Sequence, residues 1–374
     1  MTAEAHKVIR VLIVDDSAFM RKVLETILVT DENVHVVGHA KDGREAVRLS
    51  ESLKPDVITM DINMPVMDGL QATAEIMSNN PRAIVVVSSE SRQGAASTLR
   101  ALELGAIEFV AKPSSGIDLD MQSVREDLLR KIRMAAKVRV VRTASRTVSG
   151  LTNSSGAPVS PAPSLARPAP ATGFDQRFPV VVLAASTGGP ATVMRLAPGF
   201  TRDFPAAIIL VQHMPAAFTT QYAAQLAEFT NIRVKEAENN ESIAPGTFYI
   251  CPGGQHLRVL STGRIQLDSS SGRINGYLPN IDITMESVAA FAGALSMGVV
   301  LTGMGNDGAG GVTAIKAAGG LVLAQDEATS VIFGMPAEAI KTGAVDRVLG
   351  IDDIYTAIEK QVLALCQNAP AGVR

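Results

Sequence analysis

Residues 8–16 read Val-Ile-Arg-Val-Leu-Ile-Val-Asp-Asp. A nearly unbroken run of β-branched residues and Leu is what a strand buried on both faces requires. Two acids stand at its end. Met20, Val23, Leu24, Ile27 and Leu28 then recur at helical spacing on one face. The same alternation continues downstream. Strands are expected over 34–40, 57–60, 84–87 and 107–110, with helical stretches over 44–53, 70–79 and 95–104. Strand–helix alternation of this kind predicts a doubly wound α/β domain around a parallel sheet.

A second alternation begins at residue 180. Strands are expected over 180–184, 207–212, 233–237, 247–250, 297–301 and 321–324. Helices are expected over 191–196, 218–229, 283–295, 309–318, 337–342 and 351–365. Residues 256–267 read as an inserted hairpin turning at Ser261-Thr262-Gly263. The intervening stretch, 135–177, holds Pro158, Pro161, Pro163, Pro168 and Pro170 among Ser, Thr, Ala and Gly. Such a stretch buries too little apolar surface to offset its ordering entropy, so a flexible linker is expected. Its beginning, 131–142, is a candidate continuation of the preceding helix. Its surplus of Arg and Lys is read as a solvated face. The expected division is 7–132, 135–177 and 178–367.

Composition narrows the function classes. Lys plus Arg is 34 against 37 Asp plus Glu, a net charge of −3, which excludes a strongly basic nucleic-acid binder. No Trp is present and aromatic residues are 4%, which argues against a stacking platform for single strands. The apolar runs are too short for a membrane span, and the N-terminus lacks a signal-peptide pattern. Two cysteines, Cys251 and Cys366, form no disulfide framework, so a reduced, cytoplasmic protein is expected.

Strand C-termini of a parallel sheet gather at one edge, where ligands bind. Asp15 and Asp16 follow the first strand and Asp61 the third. Carboxylates that close repel one another and call for a cation, and hard oxygen donors suit Mg²⁺. Ser88 and Lys112 stand at two further strand ends, where each can hold an oxygen of a phosphoryl group on Asp61. Taken singly, these acids read as helix caps. As a set, Asp15-Asp16, Asp61, Met64-Pro65-x-Met67-Asp68-Gly69, Ser88, Phe109 and Lys112-Pro113 resemble a response-regulator receiver domain over about residues 7–132. The resemblance implies that Asp61 accepts a phosphoryl group from a histidine kinase. It implies Mg²⁺ held by Asp16, Asp61 and the carbonyl of Asn63, with Asp15 nearby. It also implies that Ser88 and Phe109 rearrange as the receiver switch beside Lys112.

In the second half, Ala185-Ser186-Thr187-Gly188-Gly189-Pro190 occupies a strand-to-helix turn. A Ser there presents its hydroxyl near a helix N-terminus, whose free N–H groups favour negative charge. The same segment also suits an N-cap, and less well a phosphate loop, since it lacks the Gly-Lys pair. Gln212-His213-Met214-Pro215 follows the next strand, and Leu301-Thr302-Gly303-Met304-Gly305-Asn306-Asp307-Gly308 a later one. Ser186, His213 and Asp307 thus supply a nucleophile, a base and an orienting acid at strand ends. Their chain order is not that of the α/β-hydrolases, and Ala184 breaks the Gly-x-Ser-x-Gly elbow.

Together with Pro252-Gly253-Gly254-x-His256, Gln325-Asp326-Glu327-Ala328 and Phe333-Gly334-Met335-Pro336, these motifs resemble the CheB family of chemotaxis protein-glutamate methylesterases. The implied architecture is two doubly wound α/β domains, a flavodoxin-like receiver and a larger methylesterase domain. The implied activity is hydrolysis of glutamate methyl esters on chemoreceptors, with deamidation of glutamines by the same route, activated by phosphorylation. Ser186 is the implied nucleophile, His213 the general base and acid, and Asp307 the orienter. Met304 contributes its backbone N–H to the oxyanion hole, and Thr187 lines the site. His256 is assigned a structural or peptide-positioning role. The segment Tyr277-Leu278-Pro279-Asn280-Ile281-Asp282 departs from the Pro-Ser-Val-Asp stretch of many members. No cofactor is expected in the catalytic domain, no nucleic acid or membrane insertion, and a monomer. The rival readings are a regulator whose second domain is a non-catalytic binding module, and a DNA-binding regulator, which a large, nearly neutral α/β domain disfavours.

Overall fold

The computed structural model describes residues 8–88, 92–112, 118–138 and 178–367. The first unit runs β1 (Ile9–Val14), α1 (Ala18–Leu28), β2 (Val34–Ala40), α2 (Gly43–Leu53) and β3 (Val57–Met60). It continues with α3 (Gly69–Asn79), β4 (Ala83–Ser88), α4 (Arg92–Glu103), β5 (Glu108–Ala111) and α5 (Asp118–Ala135). Its five strands are all parallel, in the order β2-β1-β3-β4-β5. The order reverses between β1 and β3, so the crevice at their C-terminal ends is the ligand position of such a sheet. Val11, Leu12, Ile13 and Val14 are all buried, as their unbroken apolar run requires.

The second unit opens with β6 (Val180–Ala185), α6 (Gly189–Leu196), β7 (Ala207–Gln212), α7 (Ala216–Glu228), β8 (Arg233–Glu236) and β9 (Thr247–Ile250). A hairpin, β10 (His256–Val259) with β11 (Ile265–Asp268), follows, then α8 (Ile281–Ala292), β12 (Ser296–Val300) and α9 (Ala309–Ala317). The described part of this unit closes with β13 (Leu321–Gln325), α10 (Met335–Lys341), β14 (Arg347–Leu349) and α11 (Ile351–Gln367). Seven parallel strands order as β14-β13-β12-β6-β7-β9-β8, with β6 at the centre. Along β6, Val180, Val182 and Ala184 enter one apolar cluster while Val181, Leu183 and Ala185 enter another. That split is the period-two signature of a sheet covered on both faces.

The strand β14 went unforeseen, because three residues carry no period. Residues 139–177, most of the expected linker and the far end of its helical beginning, lie outside the described residues. No described helix is long and apolar enough to cross a membrane.

The two units meet through apolar side chains. Phe109 on β5 lies against Phe218 on α7, with ring centroids 4.3 Å apart. Lys131 on α5 approaches the Phe109 ring at 5.1 Å and donates to its carbonyl at 2.6 Å. Glu103 on α4 bonds to Gln225 on α7.

Candidate functional site

At the crevice of the first sheet, Asp15 and Asp61 are buried and Asp16 is exposed. Ligand oxygens of all three lie within 4.8 Å of one another. Asp15 and Asp61 are held by the backbone turns that follow β1 and β3: Ser17 N–H donates to Asp15 at 2.9 Å and Ile62 N–H to Asp61 at 2.8 Å. Lys112, one residue beyond β5, reaches both buried acids at 2.9 Å. Burial pushes the Asp61 carboxyl above its ordinary range, and neighbouring Asp15 adds to this against the pull of Lys112. Burial would lower the Lys112 ammonium, but hydrogen bonds to Asp61 and Asp15 outweigh it and hold it above its usual value. One ammonium thus faces three carboxylates, a surplus of negative charge on hard oxygens that fits a small divalent cation. Ser88 closes β4 and is buried, with its hydroxyl 3.3 Å from the Gly94 carbonyl. Sequence reasoning thus brought Asp15, Asp16, Asp61 and Lys112 to one crevice, and the structure joins them there. Asn63 is exposed two residues after Asp61.

At the second sheet, Ser186 follows β6, His213 follows β7 and Asp307 follows β12. These are three adjacent strands, so the three side chains converge at one edge. His213 Nε2 lies 2.8 Å from Asp307 Oδ2. Asp307 is buried, which for an unpaired carboxylate costs several kcal/mol, on the order of a whole buried ion pair. The cost is offset by the N-terminus of α8. Ile281 N–H donates to Oδ2 at 2.8 Å and Asp282 N–H to Oδ1 at 3.1 Å. Asp282 returns the favour to α9, accepting from Gly308 N–H at 2.9 Å and Gly311 N–H at 2.7 Å. Asp282 of α8 thus bonds the N-terminus of α9, and Asp307, in the turn just before α9, bonds that of α8.

A carboxylate facing Nε2 requires that nitrogen to carry the proton, which leaves Nδ1 as the basic nitrogen of His213. Ser186 is held through its backbone: its N–H donates to Thr302 at 3.1 Å, and its carbonyl accepts from Gln212 Nε2 at 2.8 Å. Its hydroxyl makes no hydrogen bond to a described residue, so the His–Asp half of the constellation is assembled and the Ser–His half is open. Gly303 packs beneath Ser186, and a Cβ there would fall 2.8 Å from that of Ser186. The Met304 N–H has no partner among the described residues, while Thr187 is buried.

His256 takes no part in this constellation. Its Nδ1 accepts from Asn280 N–H at 3.1 Å, so its Nε2 is the donor to the Gly272 carbonyl at 2.8 Å. Both nitrogens are spent and the ring is neutral. Two residues escaped sequence reasoning. Tyr277 stacks on the His213 ring, 4.6 Å between centroids and 15° between planes, from a loop without periodic pattern. Glu108 accepts from Thr187 Oγ1 at 2.8 Å across the two units, and its one signal was an acid inside a buried strand.

Comparison with known proteins agrees with this anatomy. A family model described as response regulator receiver domain matches residues 11–123, and one described as CheB methylesterase matches residues 181–358. A protein-glutamate methylesterase/protein-glutamine glutaminase of Symbiobacterium thermophilum is 42% identical over 97% of this chain and 99% of its own length. The chain belongs to the CheB methylesterase family. A relative of the same name from Pyrococcus horikoshii is 41% identical, covering 95% of this chain and 94% of that protein. The crystal structure of the Thermotoga maritima CheB methylesterase catalytic domain is 38% identical, covers 49% of this chain and 98% of that one, and gives a TM-score of 0.47. As a CheB-family member, the chain carries its receiver unit ahead of its methylesterase unit, as the sequence motifs implied. None of these relatives supports a non-catalytic second domain.

Proposed function

We propose that this protein hydrolyses glutamate methyl esters on chemoreceptors, and deamidates receptor glutamines, from Ser186, His213 and Asp307. The observation that carries the reading is the 2.8 Å bond between His213 Nε2 and a buried Asp307, one strand on either side of Ser186. Ser186 Oγ attacks the ester carbonyl as its proton passes to His213 Nδ1. Asp307 stabilises the imidazolium that forms. The oxyanion is received by the unpartnered Met304 N–H beside Thr187, where a fixed donor favours the charge developing in the transition state. Collapse of the adduct breaks the ester C–O bond, or the amide C–N bond of a glutamine, and the proton from His213 leaves with methanol or ammonia respectively. Water, activated by the same imidazole, then cleaves the acyl-Ser186 and yields the glutamate carboxylate.

Control belongs to the receiver. In this reading Asp61 takes a phosphoryl group from a cytoplasmic histidine kinase, with Mg²⁺ held by Asp15, Asp16, Asp61 and the Asn63 carbonyl. Lys112 and Ser88 hold phosphoryl oxygens. The units 7–132 and 178–367, joined by 135–177, separate when Phe109 and its neighbours shift. Support comes from the contact itself, because Glu108 and Phe109 of β5 bear directly on Thr187 and Phe218. The test is methanol release from methylated receptor with and without a phosphodonor. Ser186→Ala is expected to abolish it while melting like the parent, and release at the parent rate in that variant overturns the assignment.

A further inference from the structure

We infer that Tyr277 is a positioning residue for His213, and that His256 acts on the site only by holding the loop that carries Tyr277. The inference rests on the reading of His213 as the general base.

A single hydrogen bond fixes a direction but not a plane. His213 is tethered through Nε2 to Asp307, and that bond alone does not stop the ring from swinging about it. Swinging would redirect Nδ1, the nitrogen left to face a nucleophile. The Tyr277 ring, lying 15° from parallel at 4.6 Å, is the flat surface that stops it. An aromatic face also favours a cation over it, and His213 becomes one when it takes the serine proton. The phenol end of Tyr277 rests on the neighbouring turn. A Cβ added to Gly305 would fall 2.1 Å from Tyr277 Oη, and Gly305 has a φ of 97°, so the residue there is free of both clash and strain as glycine. One side chain thus touches the base and the turn that presents Met304 and Asp307.

Tyr277 lies on an irregular loop, so its position has to be imposed. It exchanges two 3.0 Å backbone hydrogen bonds with Ile274. Asn280 Nδ2 adds a bond to the Ile274 carbonyl at 3.4 Å. His256, buried at the start of β10, clips the loop at both ends, holding the Gly272 carbonyl and the Asn280 N–H. The departure of 277–282 from the common family stretch therefore falls on the element that steadies the base.

The experiment compares Tyr277→Phe, Tyr277→Leu and His256→Ala in the full chain, by methanol release from methylated receptor and by the NMR line widths of the His213 ring protons. Tyr277 is partly exposed, so Leu leaves both sheet cores intact. Tyr277→Leu is expected to lower kcat about tenfold, with KM within about twofold, as for a misdirected base. Its His213 ring-proton lines should broaden, because the ring loses the face that fixes its plane. Tyr277→Phe should restore both values, and His256→Ala should repeat the Tyr277→Leu pattern without worsening it in the double variant. A parent-like kcat in Tyr277→Leu, or a Tyr277→Phe as impaired as Tyr277→Leu, overturns the inference. Should the parent show no Ser186-dependent release, the esterase reading fails. The His213 ring signals then still decide the positioning role, and lines as sharp in Tyr277→Leu as in the parent overturn it.

Discussion

Thr187 Oγ1 donates a 2.8 Å hydrogen bond to Glu108 Oε2, and the two residues belong to different units. The bond joins the receiver to the residue next to the candidate nucleophile. Glu108 is buried, and Lys131 stands 3.9 Å from its other oxygen. Replacing Glu108 with Ala removes the acceptor and leaves the apolar contact of Phe109 with Phe218. Basal methanol release from the unphosphorylated chain is expected to rise several-fold, since about 1–3 kcal/mol of a charge-assisted bond is lost from the closed arrangement. Equal basal rates for Glu108→Ala and the parent would remove Glu108 from the control of the site.

The receiver crevice makes a second prediction. Lys112 answers only part of the charge of Asp15, Asp16 and Asp61. Chelation of Mg²⁺ is expected to abolish stimulation by a small-molecule phosphodonor and to leave basal release unchanged. Asp61→Asn should do the same at any Mg²⁺ concentration. Stimulation that survives either change would place the phosphoryl acceptor elsewhere.

Gly303 makes a steric one. A Cβ there meets Met335 Sδ at 2.4 Å and the Ser186 Cβ at 2.8 Å. Gly303→Ala is expected to displace Ser186 and lower kcat by about 10²-fold, the usual penalty of roughly an ångström of misplacement. Labelling of Ser186 by a serine-directed phosphonate should slow in step. Parent-like labelling with lost turnover would point to a different cause.

The crossed caps predict a pH dependence. Asp282's carboxyl sits above its ordinary value, chiefly through burial and further through the charge of Asp307, against the N–H donors of α9. Its ionised form is thus disfavoured in the fold. That cost is absent below about pH 3.9, where the unfolded chain is also protonated, and grows as pH rises through the shifted value. Asp282→Asn keeps an oxygen acceptor without the charge, so its melting temperature should gain on the parent between about pH 4 and 7. Asp282→Ala, with no acceptor, should lose about 1 kcal/mol. A difference between Asn and parent that is flat across this range would contradict the shift.

Most of the fold was legible because both sheets are buried on two faces. Strands such as Val11–Val14 and Ala207–Val211 must then be continuous apolar runs, and the chemistry must stand just beyond them. Ser186, His213, Asp307, Asp61 and Lys112 were found by that rule. What escaped it was contact without period. Three-residue β14 has no pattern to read, and Tyr277 reaches His213 from an irregular loop across 64 residues of chain (277 − 213). Glu108 was hidden differently: its partner Thr187 lies in another domain, and no local signal encodes docking. The sequence also left the role of His256 between structure and peptide positioning. Only the pairing of both its nitrogens shows it as a neutral clip.

The crossed caps of α8 and α9 carry a last consequence, for descent rather than chemistry. Asp307 bonds to His213 and also closes the N-terminus of α8. A copy of this gene drifting toward inactivity cannot shed that acid cheaply, because the helix pair would loosen with it. The Ser186 hydroxyl bonds to no described residue. Decayed paralogues that keep the fold as silent scaffolds should therefore have lost the serine first and retained the aspartate, and a lineage survey would find the two positions eroding in that order.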